Sequence, residues 1–314
     1  MLFRSVAARL IDLAVESGVD AVKLQTYTPE RYASASDPER LKRVSRFCLD
    51  EKAFRGLVIH AHRRGIPLFS TALTEDVVPL LAELCPAIKI ASGDLTFEPA
   101  IRAAVATKKP VIISTGNSTV DEIDRAIAWC RDEIGDARLE DRVVLLHCVS
   151  AYPAPIEQAN VLSVPYLMNR YCLPTGYSNH VVEPEAVLAA TALGAQVIEV
   201  HVTDKKAGRE FRDHAMSFEP AELKALVQSV QRVRASLGLM AKHVQDCERP
   251  LRDAIRKGLV AARKMKKGTT LTKSDVMFAR PATQIPAIQL PEVVGKMLIR
   301  DLDRGELIFK QDLR

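Results

Sequence analysis

Through the first 240 or so residues, short runs that are apolar on both faces alternate with longer stretches apolar on one face only. The short runs are AVKLQTY (Ala21 to Tyr27), PLFSTAL (Pro67 to Leu73), AIKIASG (Ala87 to Gly93), PVIISTG (Pro110 to Gly116), VVLLHCVS (Val143 to Ser150), TGYSNH (Thr175 to His180) and VIEVHVT (Val197 to Thr203). Runs of this kind predict strands buried beneath helices, and most of them end in polar residues. Helical periodicity fills the gaps, in EKAFRGLVIHAHRRG, TEDVVPLLAEL, FEPAIRAAVAT, TVDEIDRAIAWCRDEI, EPEAVLAATALG and EPAELKALVQSVQRVRASLG. Thr119 or Ser118 is placed to cap one of these helices, with acids in its first turn. Strand–helix alternation predicts a parallel sheet. Seven repeats with polar residues gathered at the C-terminal strand ends favour an α/β fold of the (β/α)8 TIM-barrel type, whose active sites are built at that face. A doubly wound sheet is the alternative, but no G-x-G-x-x-G follows the first strand. A closed barrel of this type has eight strands. The chain opens directly into a helix, so the first strand is the one expected to be missing.

From about Glu248 the pattern changes. KGTTLTKSDV and RGELIFKQDL share a basic residue, Gly, a β-like run and then Asp-Val or Asp-Leu, which is a short internal repeat without a long helix. The expected organisation is a barrel domain over residues 1–240, a polar linker over 241–253 and a small β-rich domain over 254–314.

The N-terminal MLFRSVAARLIDLAVESG superficially resembles a signal peptide. Asp12 and Glu16 interrupt it, however, and the spacing of Val6, Leu10, Leu13 and Ala14 suits an amphipathic helix. No apolar run approaches the ~20 residues that span a bilayer, so a cytoplasmic protein without membrane attachment is expected. The 314 residues, 47% hydrophobic and 26% charged, are ordinary globular composition. The six cysteines are scattered with no C-x-x-C pair, which reads as reduced thiols rather than a disulfide frame or zinc knuckle. A net charge of +5 spread along the chain is too diffuse for nucleic acid and suits anionic small substrates.

The strand ends carry the candidate chemistry. Lys23 and Lys89 fall among apolar neighbours, and Ser70, Thr71, Ser92, Ser114, Thr115, Ser150, Ser178 and Glu199 stand with them at the predicted strand ends. Lysine supplies charge and hydroxyls supply directed hydrogen bonds, which together make a cradle for a phosphate and a carboxylate. His180 and His201 stand at the same end of two consecutive strands, where two imidazoles could ligate one divalent ion and leave positions open for water and substrate. Each has a plainer reading: a lone strand histidine is most often a hydrogen-bonded core residue, as His147 is equally well, and a strand lysine usually reaches out to solvent. His60 and His62 read as residues of a helix surface.

Taken in order, AVKLQTY, FSTAL, IKIASGD, VIISTGNS, LLHCVSAYP, GYSNH, VIEVHVT and RDHAMS resemble the successive strand-end motifs of the sialic acid synthase family, which makes N-acetylneuraminate and related nonulosonic acids. The FARP and VVGKMLIRDLDRGE stretches resemble that family's antifreeze-like (SAF) domain. The resemblance covers essentially the whole chain. It implies a transferase that condenses phosphoenolpyruvate with an open-chain N-acylated hexosamine and releases phosphate. It further implies that Lys23, Thr71, Lys89, Ser92, Ser114, Ser150 and Ser178 hold phosphoenolpyruvate. His180 and His201 would hold a divalent metal, manganese with magnesium as the alternative. Gln25, Asp94, Tyr152, His201 and Asp213 would contact the sugar, together with Arg280, which would reach it from the partner subunit of a swapped homodimer. Lys23, Lys89, Asp94, Tyr152 and Asp213 would serve the chemistry. The chain departs from the family pattern at Asp94 (usually Glu), Asn179 (usually Asp) and Ser150 (usually Asn). It also lacks the family's A-E-I-G-x-N-H first strand. A truncated member that binds sugar as a dimer without catalysing is therefore the alternative expectation. A Schiff-base aldolase using Lys23 or Lys89 would leave both histidines and the C-terminal unit unexplained.

Overall fold

The computed structural model describes residues 2–282 and 284–314, with side chains from position 5 onward. The chain divides after Gly238 into two compact units.

The first unit is a seven-stranded, wholly parallel sheet whose strands lie in sequence order: β1 (Val22–Thr26), β2 (Leu68–Ala72), β3 (Ile88–Ile90), β4 (Val111–Ser114), β5 (Val143–Cys148), β6 (Thr175–Ser178) and β7 (Ile198–Glu199). Helices connect them, among them Leu2–Ser17, Glu51–Arg63, Glu98–Ala106, Val120–Ile134, Glu185–Ala192 and Pro220–Leu237. This alternation is the repeat of a (β/α)8 barrel, and the sheet curls as that fold requires. One apolar core, which includes Phe54, Leu81, Ile88, Ile101, Ile113 and Leu145, lies under β1 to β5. A second, built on Val164, Tyr177, Val187, Phe218 and Leu226, lies under β6 and β7, and Val19 packs against both. Each of the wholly buried large residues contributes roughly 1.5–3 kcal/mol of transfer free energy. Curling brings the ends of the unit together. The helix Leu2–Ser17 packs on Pro220–Leu237, and Ser17 Oγ donates to Pro220 O at 3.2 Å. Among the described residues no strand pairs with the outer edges of β1 or β7; it is the Lys23–Glu199 ion pair, at 3.8 Å, that spans them.

Local sequence explains the details. Thr119 caps Val120–Ile134 through a capping box: Thr119 N donates to Glu122 Oε2 (2.7 Å) and Glu122 N donates to Thr119 Oγ1 (3.3 Å). Gly176 lets β6 approach β7, because a Cβ there would lie 2.2 Å from Val197 O and 2.7 Å from Leu146 Cδ2. The strands at the histidines are shorter than their sequence runs. β6 ends at Ser178 and β7 at Glu199, so His180 and His201 both stand two residues past a strand end. Two helices, Pro38–Phe47 and Ser163–Tyr171, lie outside the stretches read as helical from the sequence.

The second unit has one antiparallel pair, β8 (Gly258–Ala261) with β9 (Val276–Ala279), over a core that includes Leu259, Met265, Leu271, Leu298, Leu302 and Ile308. The repeat is real at atomic level. Asp275 and Asp312 are both buried; each accepts from an arginine Nε at 2.7 Å, Arg263 and Arg300 respectively. Each also caps its own turn, Asp275 accepting from Thr272 N (2.9 Å) and Asp312 from Phe309 N (3.0 Å). The β-like runs of the repeat form isolated bridges, such as Thr270 with Met297 and Leu298 with Leu313, rather than strands.

Candidate active site

All seven strands point the same way, so their C-terminal ends share one mouth. Lys89 occupies the middle of β3 and is only 2% exposed. Its Nζ donates to Ser114 Oγ on β4 at 2.6 Å and to Ile90 O at 2.9 Å. Lys23, on β1, donates to Thr71 Oγ1 on β2 at 3.3 Å. Both ammonium groups face one carboxylate: Glu199 Oε2 is 3.8 Å from Lys23 Nζ and 4.0 Å from Lys89 Nζ. Ser178 Oγ donates to Glu199 Oε1 at 2.9 Å. Ser92 Oγ accepts from Gly116 N at 3.0 Å. A Cβ at Gly116 would meet Ser150 Oγ at 2.4 Å and Ser92 Oγ at 2.8 Å, so these two hydroxyls flank one glycine-lined hollow.

Burial and charge divide the ionic triad unevenly. Glu199 faces two cations, which overcome its burial and hold its pKa down to about 2. Burial is the main influence on Lys89, pulling its pKa to about 8; the shared carboxylate offsets only part of this. Asp94 is raised to about 6, chiefly by burial, with Lys89 acting in the opposite direction.

The two histidines lie beside this cradle. Their ring centroids are 5.3 Å apart at an interplanar angle of 68°. His180 Nδ1 is held 2.6 Å from Val149 O, which assigns the proton to that nitrogen and leaves Nε2 with its lone pair. Burial lowers the pKa of both imidazoles, His201 to about 3 with help from the nearby Lys23, so both rings are neutral Lewis bases at pH 7. The Tyr152 ring lies 4.1 Å from that of His180, and burial raises its hydroxyl to about 12, so it remains a donor. Asp213 Oδ2 is 4.0 Å from His201 Nδ1. Two neutral imidazoles side by side fit a divalent cation. Among the described residues no group of three or more His, Cys, Asp or Glu is placed to hold one.

The structure therefore gathers Lys23, Thr71, Lys89, Ser92, Ser114, Ser150, Ser178, His180, His201, Tyr152, Asp94 and Asp213 at one mouth. Gln25 is exposed on β1. Arg280 belongs to the second unit, where its Nε donates to Ile255 O at 2.6 Å. His147 takes its plainer reading, bonded through Nε2 to Ala159 O at 2.9 Å. Three neighbours received no role from the sequence. Glu199 is the hub of the lysines; the available signal was an acid inside an apolar strand run. Cys148 Sγ lies 3.6 Å from His180 Nδ1. Arg212 places its Cζ 4.5 Å from the Tyr152 ring centroid.

A model of the NeuB family matches residues 10–242. The chain belongs to the NeuB family. A SAF domain model matches residues 256–314. The N,N'-diacetyllegionaminic acid synthase of Campylobacter jejuni is 34% identical to this NeuB chain, over 97% of it and 94% of the relative. Among solved structures, the N-acetylneuraminic acid synthetase of Leptospira borgpetersenii, in complex with citrate, is 30% identical with a TM-score of 0.73, covering 79% of this chain and 84% of that one. A putative spore coat polysaccharide biosynthesis protein E from Chromobacterium violaceum superposes over 99% of this chain and 95% of its own, at 25% identity and a TM-score of 0.81. Synthesis of sialic and related nonulosonic acids is thus the activity for which relatives of this NeuB chain are named.

Proposed function

We propose that the protein condenses phosphoenolpyruvate with an open-chain N-acylated hexosamine, giving a nonulosonic acid and inorganic phosphate. The observation that carries the reading is the convergence of two lysines from β1 and β3 on one point beside two neutral imidazoles. In the reaction, C3 of phosphoenolpyruvate forms a bond to the aldehyde carbon, water adds at C2, and the C2–O bond to phosphate breaks. Lys23 and Lys89, with Thr71, Ser92, Ser114, Ser150 and Ser178, would bind the phosphate and carboxylate through charge and directed hydrogen bonds. Gln25, Asp94, Tyr152 and Asp213 would hold the acceptor. Asp94, poised near pH 6, can carry a proton at neutral pH, the property of a general acid or base. His180 and His201 would hold a divalent cation, manganese or magnesium, which when bound supplies Lewis-acid stabilisation of the alkoxide formed from the aldehyde. Action in the cytoplasm as a swapped homodimer, with Arg280 reaching the partner's acceptor, belongs to the same proposal. No helix among the described residues is long and apolar enough to cross a membrane.

The test is phosphate release by the protein with Mn2+, phosphoenolpyruvate and a panel of N-acylhexosamines. Release should require both substrates, stop with EDTA and return on adding metal. A folded sample that releases no phosphate with any acceptor refutes the reading.

A further inference from the structure

Arg212 has no part in the reading above, yet it stands on the acceptor side of the site. Its guanidinium lies over Tyr152, whose ring is in turn tilted at 34° against that of His180; the two separations put it within about 9 Å of the His180 ring. Two other cations of the same loop are used internally. Arg209 Nη2 grips both oxygens of Asp204, at 2.7 and 2.9 Å, and Lys206 Nζ meets Glu222 Oε2 at 2.9 Å. Arg212 differs. Its side chain is 66% exposed, and its nearest anion, Asp213 Oδ1, is 3.5 Å from Nε without a hydrogen bond. That oxygen is itself buried and accepts no hydrogen bond from any described residue.

An unused planar donor therefore sits beside an unsatisfied acceptor, and their charges cancel. A buried oxygen without a donor costs about 1–3 kcal/mol or more when charged, so a ligand that supplies the missing X–H is selected over one that cannot. A phosphate dianion has no proton to give Asp213 and would meet its charge. Adjacent hydroxyl and acylamido groups on a neutral sugar supply both halves, an O–H or N–H for Asp213 Oδ1 and an oxygen for the guanidinium.

We propose that Arg212 is an acceptor-specificity residue which, with Asp213, reads a neutral stretch of vicinal hydroxyl or acylamido groups on the sugar and rejects a phosphate there. This inference rests on the acceptor being a sugar, as in the proposed function. The guanidinium over the Tyr152 ring offers a planar fork of donors, which an ammonium group cannot imitate.

The experiment compares wild type, Arg212→Ala and Arg212→Lys with Mn2+, phosphoenolpyruvate, N-acetylmannosamine and its 6-phosphate, adding the best neutral acceptor of the panel. Wild type should favour the neutral sugar at least tenfold in kcat/KM. Arg212→Ala should raise the KM for the neutral acceptor about tenfold, keep the KM for phosphoenolpyruvate within about twofold, and lose most of the discrimination; lysine should not restore it. Calorimetric titration of the same sugars reads the residue without turnover. If no acceptor reacts but wild type binds the neutral sugar and Arg212→Ala does not, the proposed reaction falls and this inference stands. An unchanged acceptor KM or affinity in Arg212→Ala, a wild-type preference for the phosphorylated sugar, or no binding of any neutral N-acylhexosamine overturns it.

Discussion

Replacing Lys89 with methionine should remove a pH dependence of stability that the wild-type chain carries. The side chain is 2% exposed, and burial lowers its pKa from 10.5 to about 8. The sign follows from which state holds the proton. Between pH 8 and 10.5 the native chain has released it while the unfolded chain still binds it, so stability rises with pH across that window. With ~1.4 kcal/mol per pKa unit, linkage gives a gain of about 2 kcal/mol from pH 7 to pH 9.5. Methionine is similar in length and does not titrate, so the variant should lack this gain. The lone tryptophan, Trp129, packs on the core of the first unit, so its fluorescence follows that unit during urea unfolding in EDTA. Buried thiols and phenols such as Cys85, Cys130 and Tyr27 also have displaced pKa values, but they cancel between the two proteins. The double difference, wild type minus variant at pH 9.5 minus pH 7, should be about 2 kcal/mol. A value under about 0.5 kcal/mol would refute the placing of a desolvated ammonium at the centre of the mouth.

Two further outcomes are expected. If Asp94 acts as a carboxylate and Lys89 as an ammonium, kcat/KM for phosphoenolpyruvate should rise through about pH 6 and fall through about pH 8, and Asp94→Asn should abolish the acid limb; an unchanged acid limb assigns that step elsewhere. Gly176→Ala forces a Cβ against Val197 O, at 2.2 Å before relaxation, and should destabilise the first unit by at least about 2 kcal/mol in the same fluorescence assay.

The order of elements was legible because each strand of a parallel sheet is buried on both faces and each covering helix on one, so the sequence alternates between two kinds of apolar pattern. The seven runs became β1 to β7 in order. What blurred was length. VIEVHVT reads as a seven-residue strand, but only Ile198–Glu199 pairs regularly, because apolar periodicity records burial and not the hydrogen bonds of a ladder. The helix Ser163–Tyr171 was not read from the sequence; it is short, carries Pro165 in its first turn and buries only Val164 and Leu167. The paired turns at Asp275 and Asp312 were visible as a repeat. That each aspartate is a buried cap held by an arginine could not be read, since the partners Arg263 and Arg300 lie twelve residues earlier in each half.

The limits at the site are electrostatic. Motif order brought the lysines, hydroxyls and histidines together, since residue types at strand ends are a local property. The charge state of that collection is not local. The buried ammonium of Lys89 faces Lys23 across the mouth, and Glu199, on the last strand, is the carboxylate that meets both and offsets part of the cost of burying Lys89. Its partners sit 176 and 110 residues away in sequence, on strands that come near it only because the sheet curls until β7 faces β1. Burial, helped by Lys23 across the same closure, leaves His201 neutral. A reading by motif therefore finds which groups meet. The charge balance of the cradle they form depends on the curl of the sheet, which brings in a single carboxylate to which the motifs gave no role.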